Sequence, residues 1–390
     1  MEHLDVPQGS FELARHPVRT NETLRAWDAA DELVLRHVAS LTSAADASIL
    51  VVNDAWGTLA VALAPVRPWS LGDSALSHAG ACVNAARNAV DPASLRQLGS
   101  LDPLPERVDI AIVKIPKTTA LLEDQLRRIR PSLHADSVVV GAAMAKHLHS
   151  STLALFEREI GPTSTSLAEK KARLAFASLG PTAETAIAPP TSFTVAPSGH
   201  TVVSYPGVFA AGRLDVGTRF FLEALTARAG TERVVDLGCG NGVLGMLVGV
   251  HNPEAEVVFV DESYFALASA KATWCENLGD RPATFIVADG AGGIGVNDVD
   301  RVICNPPFHE NQAIGDATAW SMFADSREAL RIGGELWVVG NRHLAYHAKL
   351  KRLFGNCDVV NASSKFVVLR ATRATRAPAG PQTQPTSRAN

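Results

Sequence analysis

The chain has 390 residues, of which 46% are hydrophobic and 19% are charged, and its formal net charge at pH 7 is −4. This composition is typical of a globular protein, and the length is sufficient for two domains that each bury a core. A mildly acidic chain excludes a uniformly basic surface, so we expect any binding of nucleic acid to be confined to a local patch.

The sequence lacks the features of membrane-spanning and secreted proteins. No apolar run reaches the roughly 20 residues that span a bilayer, and the first residues contain no basic segment followed by an apolar one. The five cysteines have no CxxC spacing, which indicates neither a zinc site nor a disulfide framework. We therefore expect a cytoplasmic protein that binds no metal. We also expect a monomer.

The first half of the chain contains a faint pattern of strand, loop and helix. The apolar run Ser48–Val52 precedes NDAWGTLAVALA, and a second run, Val108–Val113, precedes Lys114-Ile115-Pro116-Lys117. The same order of elements returns more clearly in the second half. This repetition predicts a duplicated fold whose first copy has lost its chemistry.

A proline-rich segment separates the two halves. Residues 186–206 contain four prolines and no helical periodicity, although part of the segment is compatible with strands. The predicted organisation is a degenerate domain over residues 1–185, a linker over 186–200, a catalytic domain over 201–373 and a disordered tail over 374–390. The tail is polar and rich in proline, with almost nothing to bury.

Apolar runs alternate with helical patterns throughout the second half. The runs are Arg233–Asp236, Val257–Val260, Thr284–Val287, Arg301–Cys304 and Glu335–Val339, and residues 357–362 and 365–370 form an antiparallel pair after them. This alternation predicts a parallel sheet with helices on both faces and ligands at the carboxyl ends of its strands. The predicted class is α/β, with two tandem Rossmann-like folds, of which the N-terminal copy is degenerate.

The segment Val234–Gly245 reads VVDLGCGNGVLG, a strand that enters a glycine-rich turn and then a helix. Its glycines at 238, 240 and 242 permit a sharp turn and let a ligand lie against main-chain amides at the helix N-terminus. The spacing of Gly240, Gly242 and Gly245 also fits the GxGxxG loop of dinucleotide-binding proteins. By itself, the loop therefore leaves the cofactor open. In the predicted alignment of the two copies, Gly238, Gly240 and Gly242 correspond to Ala55, Gly57 and Leu59.

Polar residues at the ends of the next strands favour S-adenosylmethionine. Asp261 ends the second strand, where a carboxylate accepts hydrogen bonds from ribose hydroxyls of either cofactor. Asp289 ends the third strand, within reach of an adenine amine, and Asn305 ends the fourth. A dehydrogenase has no use for the Asn-Pro-Pro-Phe sequence that begins there.

Asn305-Pro306-Pro307-Phe308 is the predicted catalytic loop. Two consecutive prolines stiffen the backbone and remove two amide donors, so the side-chain carbonyl of Asn305 and the main-chain carbonyl of Pro306 remain free to accept both hydrogens of one amine. The ring of Phe308 is suited to stacking on a flat base. This chemistry indicates a substrate with an NH2 group, and it leaves guanine, adenine and a glutamine amide open.

The chain resembles the two-domain bacterial ribosomal RNA guanine-N2 methyltransferases, essentially over its whole length. The motifs that carry the resemblance are Pro206-Gly207-Val208-Phe209, Leu214-Asp215-Val216-Gly217-Thr218, the glycine-rich loop, Asn305-Pro306-Pro307-Phe308-His309, and Asn341-Arg342-His343-Leu344 with Tyr346. The resemblance implies a tandem methyltransferase fold, an N-terminal copy that helps to bind RNA, and methyl transfer from S-adenosylmethionine to guanine N2 in ribosomal RNA or a ribosomal subunit.

The resemblance also implies roles for individual residues. The cofactor set is Asp215, Thr218, Asp236, Gly238, Cys239, Gly240, Asn241, Gly242, Asp261, Glu262, Asp289, Gly290 and Asn305, and the catalytic set is Asn305, Pro306, Pro307 and Phe308. Asp215 is equally compatible with a helix cap. His309 and Arg342 are expected to contact RNA near the cleft. A basic cluster at Lys170, Lys171 and Arg173 is a further candidate for phosphate contacts, although a solvated helix face has the same pattern.

Two other functions remain open at this point. The same loop fits an enzyme that methylates adenine N6 or a protein glutamine, and a vestigial fold fits an RNA-binding or ribosome-assembly protein without activity. A vestigial protein has no need for an intact glycine loop, Asp261 and Asn305–Phe308 together, and all three are present. The sequence thus favours an enzyme.

Overall fold

The computed structural model describes residues 2–18, 23–41, 47–181, 186–226, 228–288, 296–307 and 312–374. Within these residues the strands form two seven-stranded mixed sheets and two separate hairpins. The chain divides into two compact units, which are Met1–Leu214 with Gly238–Met246 and Phe259–Asp289, and Asp215–Leu237 with Leu247–Val258 and Gly290–Asn390.

The first sheet lies wholly within the N-terminal half. Its half contains strands β1 (Glu2–Val6), β2 (Gly9–Leu13), β3 (Ile49–Val52), β4 (Trp69–Leu71), β5 (Gln97–Leu98), β6 (Val108–Lys114), β7 (Leu133–Met144), β8 (Thr163–Thr165) and β9 (Ala172–Ser178). Its helices are α1 (Ala29–Ala39), α2 (Thr58–Ala62), α3 (Ala75–Arg87), α4 (Thr119–Ile129) and α5 (Ser150–Glu159). The sheet order is β5-β4-β3-β6-β7-β9-β8, and β1 pairs with β2 in a hairpin.

Strand β3 shows why this sheet forms the centre of its copy. Ile49 and Val51 point into one apolar cluster, whereas Leu50 and Val52 point into another, and all four side chains are buried. Alternate residues of a strand point to opposite faces, so a continuous apolar run needs cover on both sides. The run ILVV therefore specifies a central parallel strand, and β3 does pair in parallel with β4 and β6.

The second half has the same plan. Its strands are β10 (Thr191–Val195), β11 (His200–Ser204), β12 (Arg233–Leu237), β13 (Glu256–Asp261), β14 (Thr284–Val287), β15 (Val299–Cys304), β16 (Leu330–Asn341), β17 (Asp358–Ala362) and β18 (Phe366–Thr372). Its helices are α6 (Val216–Ala224), α7 (Val243–His251), α8 (Tyr264–Leu278), α9 (Gln312–Ala329) and α10 (Tyr346–Phe354). The sheet order is β14-β13-β12-β15-β16-β18-β17. The prediction of two tandem Rossmann-like folds is confirmed.

Two details of the second half differ from the predicted elements. Strand β16 is longer than the predicted Glu335–Val339, because its pairing with β15 begins at Leu330 and continues past a register shift. Strands β10 and β11 form a hairpin in which Thr191 pairs with Ser204, so β10 lies inside the proposed linker.

No helix in the described part of the chain is long and apolar enough to cross a membrane.

The pairing registers align the two copies residue by residue. Val52 pairs with Val113 in the first sheet as Leu237 pairs with Cys304 in the second. Lys114 therefore takes the place of Asn305 in the first copy.

The glycines correct the predicted alignment. Gly57 and Gly242 have φ values of 76° and 75°. A Cβ at Gly57 would lie 2.5 Å from the Cα of Ala81, and one at Gly242 would lie 2.7 Å from the Cα of Ala270. Gly57 directly precedes α2 and Gly242 directly precedes α7, and each glycine permits the same close approach of the next helix along the chain, α3 or α8. Gly57 corresponds to Gly242, and its predicted alignment with Gly240 was wrong by two residues, because composition alone does not show which glycine contacts a helix.

Candidate active site

The glycine loop, Gly238–Gly242, leaves β12 through three left-handed backbone positions. The φ values are 68° at Gly238, 54° at Gly240 and 75° at Gly242, a region that side chains disfavour. The amides of Gly238 and Cys239 both donate to the carbonyl of Val260, at 2.8 and 3.1 Å. A Cβ at Gly240 would meet no atom within 4 Å, so open space lies beside this part of the loop.

Asp261, the last residue of β13, holds the glycine loop in place. Its Oδ2 accepts a hydrogen bond from the Gly240 amide at 2.9 Å, and its Oδ1 accepts one from the Ser263 amide at 3.0 Å. Burial raises the pKa of the Asp261 carboxyl, although these amides oppose the effect. A carboxylate oxygen accepts more than one hydrogen bond, so capacity remains for ribose hydroxyls.

Glu262 has a different environment from Asp261. The hydroxyl of Ser74 donates to the Glu262 carboxylate, and burial raises the pKa of Glu262 to about 7. Among the described residues, this side chain accepts its hydrogen bond from a serine of the first copy. The predicted role of Glu262 in cofactor binding therefore stays a prediction.

Asn305 begins its loop with one side-chain atom bound and one free. Its Nδ2 donates to the Thr218 hydroxyl at 2.9 Å, whereas its Oδ1 is buried without a hydrogen-bond partner among the described residues. Thr218 is itself fixed, since its amide donates to Oδ2 of Asp215 at 3.0 Å. The contact with Thr218 identifies Oδ1 as the available acceptor, because an amide has one donor end and one acceptor end.

Asp215 is the N-cap of α6, so the helix-cap interpretation of this residue is confirmed. Its predicted contact with the cofactor stays a prediction.

The carboxyl ends of β12, β15 and β16, three neighbouring strands, lie at the same edge of the second sheet. Leu237 pairs with Cys304, and Cys304 pairs with Val338, all in parallel register. The residues that follow these positions therefore emerge at one edge of the sheet, where ligands bind in open α/β folds. Asp236 is buried beside this edge, and burial together with its charge raises the pKa of the Cys304 thiol. Cys304 stays a neutral thiol and is unsuited to act as a nucleophile.

Asn341 is a residue whose role the sequence did not predict. It ends β16, and its buried Oδ1 has no hydrogen-bond partner in the described parts of the chain. Its place at the start of the Asn341-Arg342-His343-Leu344 motif was the available signal, but a motif does not show which of its side chains is unsatisfied. A second free acceptor thus lies on the strand next to that of Asn305.

Three candidate RNA-binding residues, Arg342, Lys170 and Lys171, lie in exposed positions. Arg342 is exposed, and its Nη1 donates to the Ser363 carbonyl at 3.0 Å. Lys170 and Lys171 occupy a turn before β9 with φ values of 46° and 64°, so the alternative of a solvated helix face was wrong. Lys170 pairs with Glu32 at 2.9 Å, a contact that weakens its attraction for phosphate. Asp289, Gly290, Phe308 and His309 lie outside the described residues.

In the first copy, a cluster of ion pairs around Lys114 lies at the position that corresponds to Asn305. Lys114 lies 2.9 Å from Oδ1 of Asp28 and 2.7 Å from Oδ1 of Asp31, and its side chain is 15% exposed. Asp28 caps α1 as Asp215 caps α6. Because Lys114 has only donors and its charge is paired, it cannot accept the hydrogens of a substrate amine.

Asp54 is a buried aspartate whose charge interacts with Asp31 and Lys114 of this cluster. Replacing Asp54 by asparagine is expected to change how stability depends on pH. Burial raises the pKa of Asp54 to about 7, and the charge of Asp31 adds to the effect. An unfolded aspartate ionises near pH 4, so the wild type loses stability as pH rises from about 4 to about 7. Asparagine still offers an oxygen to the Ala60 amide, which Asp54 binds at 2.8 Å.

Thermal unfolding at pH 5 and pH 8 tests this prediction. From pH 5 to pH 8, the free energy of unfolding of the Asp54→Asn variant should increase by about 2 kcal/mol relative to that of the wild type. Parallel stability profiles for the two proteins would show that Asp54 titrates normally in the folded chain.

Two family models match the chain. The RLMG N-terminal domain matches residues 1–181, and the methyltransferase small domain matches residues 199–370. Among the described residues, no group of three or more histidine, cysteine or acidic side chains is arranged to hold a metal ion.

Curated relatives match along almost their full length. The Ribosomal RNA large subunit methyltransferase G of Streptomyces avermitilis is 52% identical over 376 residues, which are 95% of this chain and 99% of that protein. The protein of the same name from Pseudomonas aeruginosa is 46% identical over 366 residues, 94% of this chain and 98% of that protein.

A solved structure has the same fold over both halves. The T. thermophilus 16S rRNA N2 G1207 methyltransferase, in complex with AdoMet and guanosine, matches with a TM-score of 0.74. The match covers 95% of this chain and 97% of that one at 20% sequence identity. At this identity the similarity supports the architecture, and the roles of individual residues rest on their own contacts.

Proposed function

Because the chain belongs to the ribosomal RNA large subunit methyltransferase G family, we propose that it methylates the N2 amine of a guanine in large-subunit ribosomal RNA. Family membership makes the chain a methyltransferase, and S-adenosylmethionine is the cofactor of its methyltransferase domain. The observation that carries the choice of an amine substrate is the buried, unpartnered Oδ1 of Asn305 at the carboxyl end of β15.

The residues of the glycine loop fit this cofactor. Open space beside Gly240 leaves the backbone accessible, and the Asp261 carboxylate lies hydrogen-bonded to the same residue. Asp261 would accept the ribose hydroxyls, and the amides at the start of α7 would face the cofactor. When bound, S-adenosylmethionine supplies a methyl group on a positively charged sulfur.

Asn305 would orient the amine of the substrate. A purine amine is a poor nucleophile because its lone pair is delocalised into the ring. Oδ1 of Asn305 and the carbonyl of Pro306 would each accept one amine hydrogen, which leaves the lone pair directed at the methyl group. Thr218 keeps the amide of Asn305 from rotating. Catalysis then depends on positioning and electrostatics, with no strong base required.

The choice of guanine has separate support. Adenine N6 and a glutamine amide present a similar NH2 group, and the contacts of Asn305 do not distinguish them. The structurally similar T. thermophilus enzyme is named for N2 of a guanine and was solved with guanosine, which favours guanine here. In this proposal Phe308 stacks on a base taken out of its helix, and the first copy, with His309 and Arg342, helps to hold the RNA.

The experiment that tests the function uses labelled S-adenosylmethionine. The protein is incubated with ribosomal RNA and with separated ribosomal subunits from a strain that lacks it, and the labelled nucleotide is mapped. We expect N2-methylguanosine at one position of large-subunit RNA. Label found only on adenine, on protein or on small-subunit RNA would contradict the proposed substrate.

The Asp261→Ala variant is expected to bind S-adenosylmethionine at least tenfold more weakly than wild type. It loses the acceptor for ribose and for the Gly240 and Ser263 amides, and hydrogen bonds to a charged group contribute about 1.5–3 kcal/mol each. Titration calorimetry with the cofactor alone measures the change. The control is Asp280→Ala, which removes an exposed aspartate after α8. Equal affinities for Asp261→Ala and wild type would remove Asp261 from the cofactor site.

A further inference from the structure

Two equivalent turns, one from each copy of the fold, meet within the first compact unit. Ser74, the N-cap of α3, forms an antiparallel bridge with Ser263, the N-cap of α8. The Ala75 amide donates to the Glu262 carbonyl at 2.8 Å, and the Tyr264 amide donates to the Asp73 carbonyl at 3.0 Å. The contact is therefore a reciprocal backbone pairing that joins the start of α3 to the start of α8.

Asp73 makes this contact more than a backbone pairing. Its Oδ2 accepts a hydrogen bond from the Ser263 hydroxyl at 2.5 Å, and its Oδ1 accepts one from the Phe265 amide at 2.9 Å. The Ser100 hydroxyl also donates to Oδ1, at 2.5 Å. A carboxylate here satisfies an amide that the helix itself cannot pair and complements the positive end of the α8 dipole. An acid of the first copy thus caps a helix of the second.

The N-cap of the helix that Asp73 caps, Ser263, lies two residues after Asp261, the proposed ribose-binding acid. Ser263 donates its amide to Oδ1 of Asp261, and the Gly240 amide donates to the other oxygen of the same carboxylate. The hydroxyl of Ser263 is held by Asp73 while its amide holds Asp261. A continuous chain of hydrogen bonds therefore runs from Asp73 through Ser263 and Asp261 to the glycine loop.

The first copy has no acidic residue at the position that corresponds to Asp261. If Ser74 is aligned with Ser263, then Asp73 aligns with Glu262 and Gly72 aligns with Asp261. A Cβ at Gly72 would lie 3.2 Å from Nε2 of His78, so a side chain there has little room. The first copy has thus lost its ribose acid and directs the neighbouring carboxylate at the other copy.

We propose that Asp73 is a positioning residue for the cofactor, because it fixes Ser263 and through it the Asp261 carboxylate and the glycine loop. This inference rests on the proposed role of Asp261 in binding S-adenosylmethionine. The copy that has lost its own chemistry therefore contributes to cofactor affinity through one side chain.

Removing the Asp73 carboxylate leaves the Ser263 hydroxyl and the Phe265 amide without their acceptor. We expect the dissociation constant for S-adenosylmethionine to rise about tenfold in Asp73→Ala, since part of one charged hydrogen bond is transmitted to Asp261. The Michaelis constant for the cofactor should rise with it, whereas kcat and the Michaelis constant for RNA should stay near the wild-type values. A general loss of structure would lower kcat and the amount of active protein together.

The test uses calorimetric titration of the full-length protein with S-adenosylmethionine at pH 8. This pH lies above the pKa of Asp73, which burial raises to about 6. The matched control is Asp91→Ala, because Asp91 is an aspartate of the same copy that accepts the Ala93 amide at 3.0 Å at the start of a short helix. The control should bind like wild type. If Asp73→Ala does not fold, Asp73→Asn keeps the size and one oxygen and should show a smaller loss of affinity.

A double-mutant cycle with Ser263→Ala decides whether the effect passes through Ser263. We expect Asp73→Ala to weaken binding in the wild-type background and to add little in the Ser263→Ala background. Additive losses, or a dissociation constant within twofold of wild type for Asp73→Ala, would overturn the proposal. Failure of the proposed Asp261 role gives a different result, since Asp261→Ala itself would then bind the cofactor normally.

Discussion

The Asn305→Ala variant is expected to lose at least about 100-fold in kcat while it still binds S-adenosylmethionine. Removing one preorganised hydrogen-bonding group at a reacting centre costs about 100- to 1,000-fold in other enzymes. Here the variant lacks Oδ1, the buried acceptor without a partner, and also the contact of Nδ2 with Thr218. The amine then has one fixed acceptor, the Pro306 carbonyl, and its lone pair is no longer held toward the methyl group.

Single-turnover methylation of the mapped RNA measures this effect, and calorimetry measures cofactor binding in the same preparation. Asn361→Ala is the matched control, because Asn361 lies on β17 of the same unit and its Oδ1 accepts a hydrogen bond from the neighbouring Ala362 amide. The control should keep wild-type turnover. Wild-type turnover in Asn305→Ala would refute the proposed role of the loop, and the amine substrate would lose its main support.

The Lys114→Met variant is expected to lower the free energy of unfolding by about 3–5 kcal/mol, the usual cost of removing one partner of a buried ion pair. Burial alone lowers the pKa of Lys114, but the carboxylates of Asp31 and Asp28 outweigh it and raise the pKa above its usual value. Without the ammonium group, Asp31 in particular is left as a buried carboxylate with no counter-charge.

Urea unfolding of the two proteins at pH 8 tests the prediction. Lys146→Met is the control, since Lys146 is an exposed lysine of the same copy and should change stability by less than about 0.5 kcal/mol. Adding Asp31→Asn to Lys114→Met should recover part of the loss, because it removes the uncompensated charge. A Lys114→Met protein as stable as wild type would show that the cluster is too well hydrated to hold the first copy together.

These two variants separate what the copies do at one equivalent position. Asn305 keeps an acceptor free for a substrate, whereas Lys114 joins α1 to the end of β6 through paired charges. The lost chemistry of the first copy is therefore replaced by a stabilising contact. In our proposal, Asp73 at the start of α8 adds a second contribution of this copy, directed at the proposed cofactor site.

Much of the fold was predictable because its signals are local. The continuous apolar run of β3 identified a central strand, and the alternation of such runs with helical patterns identified both sheets. The three glycines of 238–242 identified a sharp turn, and all three do have positive φ values. Backbone geometry of this kind depends on a residue and its near neighbours, so it can be read from the chain.

Contacts between distant residues were decided only by the tertiary structure. The sequence did not show that Thr218 binds Nδ2 and leaves Oδ1 of Asn305 free, that Gly57 corresponds to Gly242, or that Asp73 caps α8. These partners are far apart along the chain, and packing of helices and strands chooses among many residues of suitable chemistry. The sequence by itself thus determined the reaction type and the two-copy plan. The tertiary structure decided which atoms are satisfied and which remain available, because hydrogen-bond satisfaction depends on the arrangement of neighbours in space.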